Sequence, residues 1–91
     1  MMEVIWSAVA EADLESIVDY IARDNLMAAL VLDDLLRNTA QDLAFFPKKG
    51  KPGRHPGTRE LVAHEHYLLV YTVTGETVHI VTVVHTSRKF P

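Results

Sequence analysis

Apolar positions change their spacing twice along this chain. Met2 to Trp6 alternates and is rich in β-formers, which predicts a short strand. Ala10, Leu14, Ile17, Val18 and Ile21 then recur at helical spacing and define one apolar stripe. Ser7 stands where it can cap this helix from Ala8, and Glu11 lies in the first turn, where the helix dipole favours an acid. Asp24-Asn25 breaks the pattern and offers a new N-cap. The second helix is predicted to run to about Phe46, with Ala28, Leu32, Leu35, Thr39, Leu43 and Phe46 on one face. A connection this short predicts an antiparallel helix hairpin.

Pro47 stops the second helix, because the residue before a proline is pushed out of helical geometry. Beyond it the period becomes two. Strands are predicted at Thr58–Ala63, Tyr67–Val73 and Thr77–Thr86, and Thr74-Gly75-Glu76 closes the last pair as a tight hairpin. The element order is β-α-α-β-β-β. It predicts an α+β fold in one domain over residues 1–91, with the helix hairpin packed on one face of a small, mainly antiparallel sheet of three or four strands. Strict alternation would put Val78, Ile80, Thr82 and Val84 on one face of the last strand, and Thr77, His79, Val81, Val83 and His85 on the other. Both faces carry apolar residues, so alternation alone leaves the inner face open.

Charge sharpens this picture. The net charge is −3, yet residues 1–45 hold 2 basic and 9 acidic side chains, whereas residues 46–91 hold 7 basic and 3 acidic. Lys48, Lys49, Lys51, Arg54 and Arg59 crowd a Gly/Pro-punctuated stretch with no carboxylate until Glu60. Such a loop suits a phosphate or an acidic partner segment, and it equally suits simple solvation. The acidic total speaks against a protein that coats nucleic acid.

The chain has no cysteine, which removes disulfides and thiolate metal sites. His79 and His85 are too far apart along one strand to share an ion, and His64 and His66 sit where a strand is ending, so no metal or other cofactor is expected. No signal-peptide pattern or membrane-length apolar run is visible, and a cytoplasmic location without membrane contact is the expectation.

Several segments, in this order, carry a resemblance. They are Trp6-Ser7, Ala12-Asp13-Leu14, Phe46-Pro47, Pro52-Gly53-Arg54, Pro56-Gly57-Thr58-Arg59-Glu60-Leu61, Tyr67-Leu68-Leu69-Val70-Tyr71 and Val84-His85-Thr86-Ser87-Arg88. Over essentially its whole length the chain resembles toxins of the RelE/ParE superfamily of bacterial type II toxin–antitoxin modules. The resemblance implies a plasmid-stabilisation type of toxin that inhibits growth, is neutralised by a cognate antitoxin, and meets operator DNA only through that antitoxin.

The superfamily holds two mechanisms. ParE-like members bind and poison DNA gyrase, and RelE-like members are metal-independent mRNA interferases that cut mRNA on the ribosome. For RNA cleavage the resemblance assigns Arg59, His85 and Arg88 as catalytic residues, with His85 as acid or base. Lys48, Lys49, Lys51 and Arg54 would then grip phosphates or an acidic partner, and Tyr67 or Tyr71 would stack on a base. The same residues also read structurally. Arg59 can pair with Glu60 or Glu65, His85 can be satisfied by backbone, and both tyrosines share a face with Leu69. The acidic charge and the lack of any tyrosine after Tyr71 depart from the pattern of the ribonuclease members, which favours gyrase over the ribosome with mRNA as the target. A remnant that only binds its antitoxin is the third possibility. Any of these site readings requires Arg54, Arg59, His85 and Arg88 to converge on one exposed patch.

Overall fold

A computed structural model describes residues 1–87. Strand β1 (Glu3–Trp6) leads into helix α1 (Ala8–Ala22), whose first turn is capped by the Ser7 hydroxyl accepting from the Ala10 amide at 3.0 Å. Helix α2 (Leu26–Asp42) begins in the same way, with the Asn25 side chain accepting from the Ala28 amide at 3.0 Å. It ends four residues before Phe46, short of the expected limit. Leu43 and Ala44 donate to carbonyls three residues back, which tightens the chain, and both are drawn into the core.

The remaining strands are β2 (Lys51–Pro52), β3 (Arg59–His64), β4 (Tyr67–Thr74) and β5 (Thr77–His85). The sheet is five-stranded in the order β1-β5-β4-β3-β2, with β1 parallel to β5 and every other pair antiparallel. It exceeds the three or four strands expected because two residues of the basic loop pair with Arg59 and Glu60 as an edge. Gly75, at φ 60, takes the first central position of the two-residue β4–β5 turn, where a positive φ is needed.

Core residues come from both layers: Ala10 and Leu14 of α1, Leu32, Leu36, Ala40 and Leu43 from α2 and its end, and Leu69, Tyr71, Val78, Ile80 and Val83 of the sheet. The inner face of α2 is therefore Ala29, Leu32, Leu36, Ala40 and Leu43, which shares only Leu32 and Leu43 with the predicted set. Ala28 and Phe46 are exposed. Two apolar stripes compete on this helix, and the one bearing Ala29 and Ala40 lets it approach its neighbours closely. Leu26, Met27, Leu30 and Val31 are left facing solvent. No described helix is long and apolar enough to cross a membrane.

A bulge in β5 corrects the expected faces of that strand. Tyr71 pairs with Ile80 but Val70 pairs with Thr82, so Val81 is an extra residue. Ser7 holds the bulge from outside, its amide donating to the Ile80 carbonyl at 2.9 Å and its hydroxyl to the Val81 carbonyl at 2.7 Å. Beyond the bulge, Val83 lies opposite Leu69 and His85 opposite Tyr67. Both therefore share the helix-covered face with Val78 and Ile80.

Candidate functional site

Two groups of polar side chains stand at opposite ends of β4. At the Tyr67 end, β1 has already stopped, which leaves β5 with an open edge past Ile80. Asp13 of α1 covers that edge, accepting from the Val83 amide at 3.1 Å and from the Thr82 hydroxyl. Beside it lies a cleft of about 420 Å³ lined by Asp13, Ser16, Ile17, Tyr20, Tyr67, Val83, His85 and Ser87.

His85 meets the ring of Tyr67 edge-on at 5.3 Å and stacks on His66 at 5.5 Å. His64 lies 5.7 Å from His66 and 5.9 Å from Tyr67. Sequence spacing kept these histidines separate, and strand pairing brings three of them together. His66 and His85 are face to face at 13°, and no group of three or more described His, Asp or Glu side chains is disposed to hold an ion. The His85 Nδ1 accepts from the Ser87 amide at 3.2 Å and lies 2.7 Å from the Ser87 hydroxyl. An accepting Nδ1 puts the proton of the neutral ring on Nε2. The cleft thus offers an imidazole, two phenols, two hydroxyls and a carboxylate. Among the described residues no lysine or arginine lines it.

At the other end the basic loop is tied down. The buried Tyr71 hydroxyl donates to the Pro47 carbonyl at 2.7 Å and accepts from the Gly50 amide at 2.9 Å. The Arg59 guanidinium donates to the Gly50 carbonyl at 2.7 Å. Burial raises the Tyr71 phenol above its ordinary range, and the Gly50 amide and the Arg59 charge oppose that rise. Glu60, only 5% exposed, accepts from the Arg54 amide at 2.9 Å, and its other oxygen is 3.8 Å from the Arg54 Nε.

Among the described residues, the expected convergence of Arg54, Arg59 and His85 does not occur. Arg59 lies opposite Tyr71 and His85 opposite Tyr67, which puts them about 13 Å apart along the sheet. Arg54 pairs with Glu60, whose strand position faces away from Arg59 and the helices. Tyr71 is fully buried and presents no ring face to a base, whereas Tyr67 borders the cleft. Lys48, Lys49 and Lys51 are exposed. Arg88 lies outside the described residues. Sequence reasoning missed Asp13 as a cleft residue and also missed the exposure of Phe45 and Phe46, which no periodicity could have revealed.

The sequence and the fold match known toxins. The family model described as "ParE toxin of type II toxin-antitoxin system, parDE" matches residues 4–90. Toxin RelE2 of Caulobacter vibrioides is 36% identical over 88 residues, covering 97% of this chain and 99% of that protein. Among solved structures, the chromosomal ParDE system of P. aeruginosa superposes with a TM-score of 0.82 at 24% identity, covering 93% of this chain and 96% of its own. The RelBE2 toxin–antitoxin complex of Mycobacterium tuberculosis gives 0.60 at 27% identity, covering 92% and 96%. The chain belongs to the ParE toxin family of the RelE/ParE superfamily, the toxins of type II toxin–antitoxin systems.

Proposed function

We propose that this toxin arrests growth in the cytoplasm by binding DNA gyrase, without chemistry of its own. The carrying observation is the dispersal of positive charge among the described residues. Cleaving RNA requires cations gathered around one phosphate to stabilise the charge that develops there. Here Arg59 is committed to the Gly50 carbonyl and Arg54 to Glu60, while the cleft at His85 is bordered by the Asp13 carboxylate, which repels a phosphate. A protein that works by binding needs no such convergence.

Two of the solved structures with this fold are toxin–antitoxin complexes, RelBE2 of Mycobacterium tuberculosis and DinJ-YafQ of E. coli. They support a cognate antitoxin here, and we infer that operator DNA is reached only through it. The exposed Met27, Leu30 and Val31 stripe of α2 suits an amphipathic antitoxin helix.

One observation favours the ribonuclease reading. His85, Tyr67 and Ser87 meet in an open cleft, with the imidazole held through Nδ1. Such a ring can exchange a proton through Nε2.

Two assays separate the readings. Purified toxin is expected to inhibit gyrase supercoiling or trap cleaved DNA, to leave translated mRNA intact, and to remain toxic as His85→Ala. New 5′ ends on translated message that vanish in His85→Ala would establish the ribonuclease instead. A chain that binds its antitoxin but never slows growth is a remnant.

A further inference from the structure

We infer that Phe45-Phe46-Pro47-Lys48-Lys49 is the surface by which the toxin grips its target, and that the target is a protein presenting an apolar pocket edged by carboxylates. This rests on the reading that the toxin acts by binding.

Phe45 and Phe46 are 60% and 65% exposed, although Leu43 and Ala44 just before them are buried. Adjacent aromatic rings left in water form the kind of contiguous apolar patch that serves as an interaction surface. The rings cannot retreat into the core. The Met2 amide holds the Ala44 carbonyl at 2.9 Å, the Lys49 amide closes on the Phe46 carbonyl at 3.0 Å, and Tyr71 holds Pro47 at 2.7 Å. A segment pinned before binding loses little conformational freedom on binding. Phe46, Pro47, Lys48 and Lys49 also border a shallow, mainly apolar depression open to solvent.

Charge identifies the partner. Lys48, Lys49 and Lys51 follow the two rings, and no carboxylate lies in the sequence between Asp42 and Glu60. A polyanion would meet this loop but also the 9 acidic side chains of residues 1–45, which repel an extended RNA or an anionic membrane. A protein whose acidity is local to one pocket touches the loop alone.

The test uses two double variants of the full chain, Phe45→Ala with Phe46→Ala, and Lys48→Glu with Lys49→Glu. Both are expected to abolish growth arrest on expression. Both should still copurify with the antitoxin encoded beside the toxin, and both should melt like wild type. Against purified gyrase, apparent affinity is expected to fall at least about tenfold in each. Variants that stay fully toxic would overturn the inference, as would variants that lose antitoxin binding along with toxicity. Binding of single-stranded RNA or phosphatidylglycerol vesicles that disappears in the same variants would overturn it as well. If wild-type toxin leaves gyrase untouched while toxicity still depends on both pairs, the gyrase reading falls and the target-gripping loop stands.

Discussion

Tyr71 donates its hydroxyl proton to the carbonyl of Pro47 across 2.7 Å, joining the middle strand of the sheet to the loop that follows α2. The same oxygen accepts from the Gly50 amide. A buried side chain thus satisfies two backbone groups of a segment that no ladder pairs, and it sets where the exposed phenylalanines and lysines stand.

Tyr71→Phe leaves the Gly50 amide and Pro47 carbonyl without this partner. It is expected to cost about 1–3 kcal/mol at neutral pH, read from urea midpoints. The phenol's value is raised above 10.0 in the fold. Its contribution is therefore complete below that pH and fades as pH climbs through the raised folded value. Wild type should lose stability above about pH 10 more steeply than the Phe variant, and parallel alkaline profiles would contradict the assignment.

Gly50→Ala tests the same junction sterically. A Cβ there would sit 2.7 Å from the Tyr71 hydroxyl oxygen and 2.9 Å from the Glu60 carbonyl oxygen. Neither neighbour can yield easily, since one is in the buried core and the other is backbone. A loss of about 1–3 kcal/mol is expected by thermal melting.

Asp13→Ala uncovers the Val83 amide and the Thr82 hydroxyl at the open edge of β5. The expected loss is about 1–2 kcal/mol, with faster hydrogen exchange at Val83 than in wild type. Unchanged exchange at that amide would show that Asp13 does not protect the edge.

Arg37 forks onto Glu11 at 3.1 and 3.2 Å, reaches Asp33 at 3.3 Å and lies over the Trp6 ring at 5.4 Å. The hydrogen bond from Arg37 lowers the Glu11 carboxyl below its ordinary 4.5. Its stabilisation is present above that pH and disappears as pH falls through the depressed value. Both side chains are more than two-fifths exposed, so Glu11→Gln should cost less than about 1 kcal/mol. The difference from wild type should shrink in high salt and vanish once the pH falls below the depressed value, as followed by denaturant titration.

The α+β class, the element order apart from the two-residue β2, the Ser7 and Asn25 caps and the Gly75 hairpin were legible from local patterns, because each depends on residues within a few positions. The face of α2 was not, because its two apolar stripes are equivalent until Ala29 and Ala40 meet a neighbour. The faces of β5 failed for a similar reason. Alternation predicted Val83 and His85 opposite Ile80, and Val81 breaks that count where Ser7 bonds the strand from outside.

The candidate site was legible as an inventory but not as a place. Local sequence determined the helix hairpin, the strands, the charged loop and the family resemblance, since periodicity, capping and charge runs act over short stretches of chain. Tertiary structure alone decided that His64, His66, Tyr67 and His85 gather, that Arg54 and Arg59 part, and that Phe45 and Phe46 remain in water. Those outcomes depend on strand register and on hydrogen bonds between residues far apart in the chain, such as Tyr71 with Pro47.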